Sequence, residues 1–224
     1  MADTVDTGIV ETRWWWVRHA PVTANNGRIY GQQDMPCDTD DAHAFAGLAK
    51  LLPEDAVLVT SNLMRTHQTA DAIRAAGLTL PERIEIEALK EQSFGDWQGM
   101  TYEEFGFDGK LGSGARYWLA PAYQRAPNGE SFTDLIARVV PAVLDLTERH
   151  AGRDIVAVTH GGTIRAALCY ALNLDPESAL RFSTANLSVT RLDCVDTDDG
   201  RHWRIGFANR DPRERHPERQ SGRI

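Results

Sequence analysis

Three short apolar runs along the chain each end in cationic or hydroxyl-bearing residues, and this repetition restricts the fold more than any other feature. Trp14 to Val17 leads into Arg18-His19, and Ala56 to Val59 leads into Thr60-Ser61, with Arg65 a turn later. Ile155 to Val158 leads into Thr159-His160-Gly161-Gly162. Each run is short, rich in β-branched or aromatic residues and bounded by polar or turn-forming ones, the pattern of a strand buried on both faces. Helical patterns lie between and after them, at Asp41 to Leu51, Arg65 to Ala76, Ser131 to Arg149 and Thr163 to Leu172. Pro141 inside the third of these predicts a kink or a break. Leu187 to Val195 and His202 to Phe207 read as further strands, joined through Asp198-Asp199-Gly200 into an antiparallel hairpin. Strands alternating with helices predict a three-layer α/β/α sandwich whose central sheet is mostly parallel and carries an antiparallel strand.

The chain has 224 residues, enough for one such domain, which is expected over residues 13–209. Residues 1–12 are expected to be a flexible N-terminus and 210–224 a polar, proline-broken tail. No window approaches the ~18 apolar residues of a membrane span, so a membrane partner is not expected. The first eleven residues lack the basic-then-apolar order of a secretion signal. Cys37, Cys169 and Cys194 are odd in number and lack metal-ligand spacing, which fits reduced thiols and a cytoplasmic location. A formal net charge of -8, with no basic run interleaved with aromatics, argues against nucleic acid as a partner. In such a chain an anion must be bound by a local concentration of cations. Nothing in the sequence fixes an oligomeric state.

Those cations stand at the strand ends. Ligands of open α/β sheets sit in the crevice outside the carboxyl ends of the strands. If the three runs are neighbours, Arg18, Arg65, His19 and His160 meet there, beside helix N-termini that add unpaired N–H donors. Arginine forks match phosphate oxygens in pairs and stay charged, so a tetrahedral dianion is the expected ligand. Two imidazoles suit a two-step phosphoryl transfer: one, neutral, attacks phosphorus, and the other, protonated, stands beside the phosphate as an electrostatic clamp. The dianion should raise the second imidazole's pKa above its ordinary ~6.5, and the arginines should lower it. The departing alkoxide needs a proton, and Glu91 in Leu89-Lys90-Glu91-Gln92-Ser93-Phe94-Gly95-Asp96-Trp97 is the candidate donor, with Asp96 and Glu103 as alternatives. No metal or other cofactor is expected, because paired arginines and histidines repel a divalent cation and no carboxylate cluster accompanies them.

At this point the chain resembles the histidine phosphatase superfamily, in its phosphoglycerate mutase-like and α-ribazole phosphatase-like branch. The resemblance rests on five ordered motifs: Arg18-His19-Ala20 with Asn25 six residues after the histidine, Ser61 to Ala70 around Arg65, Leu89 to Gly99 around Glu91, Gly129-Glu130-Ser131, and Thr159-His160-Gly161-Gly162. It implies a phosphoglycerate mutase-like fold and a phosphomonoesterase acting on a small phosphorylated metabolite. It further implies His19 as nucleophile, Glu91 as proton donor and His160 as the second catalytic histidine, with Arg18, Asn25, Arg65 and Gly161 around the phosphate. Alternatives are a phosphoglycerate mutase-type phosphotransferase and a non-catalytic module that binds a phosphorylated ligand. Ala20-Pro21-Val22 departs from the family's Gly-Glu-Ser/Thr, so a glutamate and a hydroxyl are missing and a Cβ stands where glycine allows close backbone approach.

Other residues have plainer readings. Asn25 beside Asn26-Gly27 also reads as a turn residue. His43, His67, His150, His202 and His216 read as surface or packing residues, and Trp14-Trp15-Trp16 as strand burial rather than an aromatic platform. Tyr117, Trp118 and Tyr123 fall in a stretch, residues 106–127, expected to cover the pocket as a lid.

Overall fold

Four consecutive apolar residues in a strand must point alternately to opposite faces, so a run such as Trp14 to Val17 demands apolar cover on both sides. A computed structural model, which describes residues 9–101, 103–104 and 119–214, supplies that cover. The elements are β1 (Val10–Arg18), α1 (Ala42–Leu51), β2 (Val57–Thr60), α2 (Met64–Ala75), β3 (Ile84–Glu85), α3 (Phe132–Arg149), β4 (Asp154–Thr159), α4 (Gly161–Ala171), α5 (Pro176–Ala179), β5 (Val189–Thr197) and β6 (Gly200–Arg210). Trp14 and Trp16 stack at 4.8 Å between ring centroids and pack with Ile155, Ala157, Val57 and Val59 against α3 and α4. The opposite parity, Trp15, Val17, Leu58, Val156 and Val158, packs against α1 and α2. The period of two therefore divides one sheet between two cores, and three layers follow.

The sheet runs in the order β3-β2-β4-β1-β5-β6. β1, β4, β2 and β3 are mutually parallel, and β5 pairs antiparallel with both β1 and β6. One strand of the six thus runs against the rest, as expected, and Asp198-Asp199 forms the turn that links β5 to β6. β1 begins at Val10, inside the stretch expected to be flexible, because Val10 to Thr12 find partners in Asp196 to Cys194 of β5. β3, only two residues long, shows no periodicity that sequence could reveal.

α1 starts where Asp41 accepts a hydrogen bond from the Ala44 amide, and α3 where Ser131 and Asp134 cap one another's backbone reciprocally. α3 runs unbroken through Pro141, so of the expected kink or break the break does not occur. Pro141 lies on its exposed face, where water can satisfy the carbonyl that loses its amide partner. Among the described residues no helix is long and apolar enough to cross a membrane.

Candidate active site

The register of the parallel strands aligns their carboxyl ends. Arg18 of β1 lies opposite Thr159 of β4, and Thr60 of β2 opposite Val158. The first residue beyond each strand is then His19, His160 and Ser61, three polar groups on one edge, and the His19 amide donates to the Thr159 carbonyl at 2.9 Å.

The two imidazoles lie 5.2 Å apart between ring centroids, tilted by 59°, and both are buried. His19 Nδ1 stands 2.6 Å from the Ala20 carbonyl oxygen, which only an N–H can satisfy. That bond assigns the proton to Nδ1 and leaves a lone pair on Nε2. Burial holds His19 well below its ordinary pKa, with Arg65 and then Arg18 adding to the effect and the Ala20 carbonyl opposing it. The ring is neutral near pH 7, the state a nucleophile needs. His160 Nε2 meets Ser61 Oγ at 2.8 Å, and its Nδ1 is buried with no partner among the described residues. Burial, Arg65, His19 and Arg18 also push His160 well below the ordinary histidine value. The fold by itself therefore keeps this ring neutral, and a protonated clamp requires the dianion.

Arg65 is fully buried on α2. It donates to the Gly31 and Gln33 carbonyls at 2.6 and 2.8 Å and lies 5.1 Å from the centroid of the Tyr30 ring. Burial lowers its pKa, and Glu91, Tyr30 and Asp34 oppose the shift. Arg18 Nη1 donates to the Thr184 carbonyl at 2.5 Å. Arg18 Nε, Arg65 Nε and His160 Nδ1 are all buried without a partner among the described residues. Each unmet donor costs roughly 1–3 kcal/mol, and a bound oxyanion would relieve that cost.

Glu91 faces this cationic group across the wall of a cavity of about 410 Å³, which Arg18, Tyr30, Phe94, Gly162 and Arg165 also line. Glu91 Oε1 accepts from the amides of Gln92 at 3.0 Å and Gly162 at 3.1 Å. Its backbone is gripped by Arg138, which donates to the carbonyls of Ala88, Lys90 and Glu91 and is itself paired with Glu130. Gly161 and Gly162 open α4 with no side chain in the way: a Cβ on Gly162 would stand 2.4 Å from Glu91 Oε1.

The structure thus gathers Arg18, His19, Arg65, Glu91, His160 and Gly161. Of these, Arg18 and Glu91 line the cavity itself; Asn25 sits apart in a turn, its side chain donating to the Arg28 carbonyl. Asp96 is exposed and bonded to Asn128, and Glu103 is exposed. Ala20 is fully buried in the apolar layer beneath α1 and α2, so its methyl packs away from the crevice. His67, read as a surface or packing residue, bonds the Ser61 carbonyl at 2.9 Å and approaches Glu85. Leu119 and Ala120 of the expected lid line the cavity, Tyr123 is 65% exposed, and Tyr117 and Trp118 lie outside the described residues. Among the described residues no three His, Cys, Asp or Glu side chains are grouped to hold a metal ion. Sequence reasoning missed Arg165, Thr184 and Arg138, which carry no spacing signal; only the packing of α3, α4 and the loop before β5 places them here.

Residues 14–207 match the model of the histidine phosphatase superfamily, branch 1. A metal-independent phosphoserine phosphatase of Arabidopsis thaliana is 30% identical over 181 residues, covering 79% of this chain and 74% of the relative. A 2,3-bisphosphoglycerate-dependent phosphoglycerate mutase of Cytophaga hutchinsonii is 29% identical, covering 72% and 78%. The solved structure of mycobacterial glucosyl-3-phosphoglycerate phosphatase superposes with a TM-score of 0.72 at 26% identity, covering 89% of this chain and 99% of that one.

Proposed function

The chain belongs to the histidine phosphatase superfamily and is a histidine phosphatase, and from that premise we propose that it hydrolyses a small phosphorylated metabolite through a phosphohistidine on His19. The observation that carries this reading is the bond from His19 Nδ1 to the Ala20 carbonyl, which leaves a lone pair on Nε2 of a neutral ring near two arginines. In the first step Nε2 bonds to phosphorus as the ester P–O bond breaks, and Glu91 gives its proton to the departing alkoxide. In the second, Glu91 takes a proton from water, whose oxygen displaces the imidazole from phosphorus. Arg18, Arg65 and His160 offset charge on the equatorial oxygens in both steps. Ser61 Oγ, by donating to His160 Nε2, leaves an N–H on Nδ1 for a phosphoryl oxygen. Phosphate binding then raises the His160 pKa, and the ring takes up a proton as the dianion enters.

All of these groups come from the chain itself, so the reaction is proposed to be metal-independent. The free thiols of Cys37, Cys169 and Cys194 support a cytoplasmic setting. The test is phosphate release from a panel of monoesters with and without EDTA, alongside His19→Ala. Turnover that survives EDTA and disappears in the variant supports the proposal. Efficient isomerisation of 3-phosphoglycerate, dependent on 2,3-bisphosphoglycerate, would replace it with the mutase reading. Ligand affinity without turnover would make the protein a binding module.

A further inference from the structure

Arg138 of α3 differs from the arginines of the phosphate site in having no donor left over. Arg18 and Arg65 each keep a buried Nε without a partner among the described residues. Arg138 instead uses all five of its N–H groups within the chain. Its Nε and Nη2 fork onto the two carboxylate oxygens of Glu130, both at 2.8 Å. Nη1 donates to the carbonyls of Ala88 at 2.8 Å and Lys90 at 3.2 Å, and Nη2 to that of Glu91 at 3.3 Å. An arginine with unmet donors awaits a ligand, whereas a saturated one holds protein groups in place.

What it holds is the stretch that carries Glu91. Beyond a single 3₁₀ turn at Glu87–Leu89, residues 88–93 belong to no helix or strand. Their carbonyls find side-chain donors instead: Arg138 reaches those of residues 88, 90 and 91, Thr159 and Thr163 reach that of Leu89, and Gln32 shares that of Glu91. These bonds take the place of a ladder and fix the path of the chain. Glu130 completes the hold beyond Glu91. Its Oε2 accepts from the Ser93 amide at 2.9 Å, its own amide donates to the Ser93 carbonyl at 2.8 Å, and its carbonyl accepts from Gln92 Nε2 at 2.9 Å. The two backbones lie so close that a Cβ on Gly129 would stand 2.6 Å from the Ser93 carbonyl oxygen. One ion pair thus clamps the chain immediately before and immediately after the residue assigned the proton.

Proton transfer is the step most sensitive to such a clamp, because the acid must stand within hydrogen-bond reach of the ester oxygen as the bond breaks. We propose that Arg138, braced by Glu130, is a positioning residue for proton transfer: through the backbone of residues 88–93 it sets the Glu91 carboxylate against the N-terminus of α4. This rests on the phosphatase reading above, with Glu91 as its proton donor. Since every donor of Arg138 is taken, its effect passes through the groups it holds. Its charge also opposes protonation of His160, but that influence falls on every ester alike.

The test reads kcat/KM for p-nitrophenyl phosphate, phenyl phosphate and glycerol 3-phosphate, in order of rising leaving-group basicity, with a thermal melt of each protein. Arg138→Gln is expected to lower kcat/KM by about 10²-fold on glycerol 3-phosphate, by less on phenyl phosphate and by only a few-fold on p-nitrophenyl phosphate. Arg138→Lys keeps the charge but cannot fork onto Glu130 and reach three carbonyls at once, so it should fall between. Glu130→Gln keeps the shape of the brace and serves should the arginine variants fail to fold; it should show a several-fold loss in the same order of esters. A double-mutant cycle separates positioning from general damage. In a Glu91→Gln background, either substitution should cost no more than about twofold further on glycerol 3-phosphate, because the group being positioned has no acidic proton left. Losses that multiply, losses equal on all three esters, or a lowered melting temperature with unchanged kinetics would overturn the proposal and leave the phosphatase intact. Undiminished turnover of glycerol 3-phosphate by Glu91→Gln would remove Glu91 as donor, and the positioning role with it. Failure of the wild type to release phosphate from any of the three esters would instead sink the phosphatase reading.

Discussion

A single methyl group added to Gly162 separates Glu91's chemical role from a structural one. The Cβ would stand 2.4 Å from Glu91 Oε1, about 1 Å inside ordinary contact, and 3.0 Å from Leu135 Cδ2. With Leu135 behind the new methyl, the carboxylate is the group that must move. In moving it gives up the 3.1 Å bond from the Gly162 amide. A displacement of about 1 Å at a reacting group costs roughly 10²-fold in rate, which lies within the 10²–10⁴ that general acid catalysis contributes. The loss should depend on the leaving group. An alkoxide such as that from glycerol 3-phosphate needs the proton, whereas p-nitrophenolate departs without it. Gly162→Ala is therefore expected to lower kcat/KM, which covers the steps up to alkoxide departure and not the later hydrolysis that Glu91 also serves, by about 10²-fold on glycerol 3-phosphate and by only a few-fold on p-nitrophenyl phosphate. Stability should change little, because alanine in a helix is favoured over glycine by ~0.5–1 kcal/mol, which offsets part of the lost bond. Initial rates of phosphate release at ester concentrations well below KM, with a thermal melt of each protein, decide the matter. Equal losses on both esters, or none on either, would refute Glu91 as the proton donor.

Other expectations follow from the same geometry. His19 and His160 have folded pKa values well below their unfolded ~6.5, so the unfolded chain binds more protons under mildly acidic conditions. Stability should be level above about pH 7.5 and fall below about 6.5 by up to ~1.4 kcal/mol per pH unit for each of the two; urea unfolding of wild type and His160→Asn should show the shallower slope in the variant. A slope unaffected by the substitution would contradict a buried neutral His160. Ser61→Ala removes the bond to His160 Nε2 together with the contacts to Thr66 and the Leu63 amide, and should lower kcat by about tenfold and stability by about 1–3 kcal/mol; unaltered kcat would show that the ring needs no such anchor. Gly95 has φ +45° and no room for a side chain, a Cβ meeting the Pro127 carbonyl, so Gly95→Ala should destabilise the chain by more than ~1 kcal/mol. A melt matching wild type would show that the loop around Glu91 relaxes freely.

Much of the architecture was legible because β1, β2 and β4 are continuous apolar runs that only two-sided burial explains, and because each is followed at once by its polar residue. The histidines and Arg65 were legible for the same reason: their positions follow directly from strand ends. Glu91 was recoverable only from its motif, since the loop that carries it has no period and is held by Arg138 and Gln32 from distant elements. Asn25 shows the converse, a motif position whose side chain is committed to its own turn. Arg165 and Thr184 were invisible because a helix arginine and a loop threonine look alike wherever they point. Their contacts exist only in three dimensions. The protonation of His160 also escaped the sequence, because burial, the largest cause of its shift, is a property of the packed fold.

The central claim is that phosphorus is transferred to His19 Nε2 before it reaches water. Rapid mixing with a radiolabelled phosphomonoester, an alkaline denaturing quench and peptide mapping test it directly. The account predicts a transient label on the peptide containing His19, stable to base and lost in acid, that decays as phosphate appears and is missing in His19→Ala. Steady turnover with no labelled protein at any time, or a label on a different residue, would contradict it.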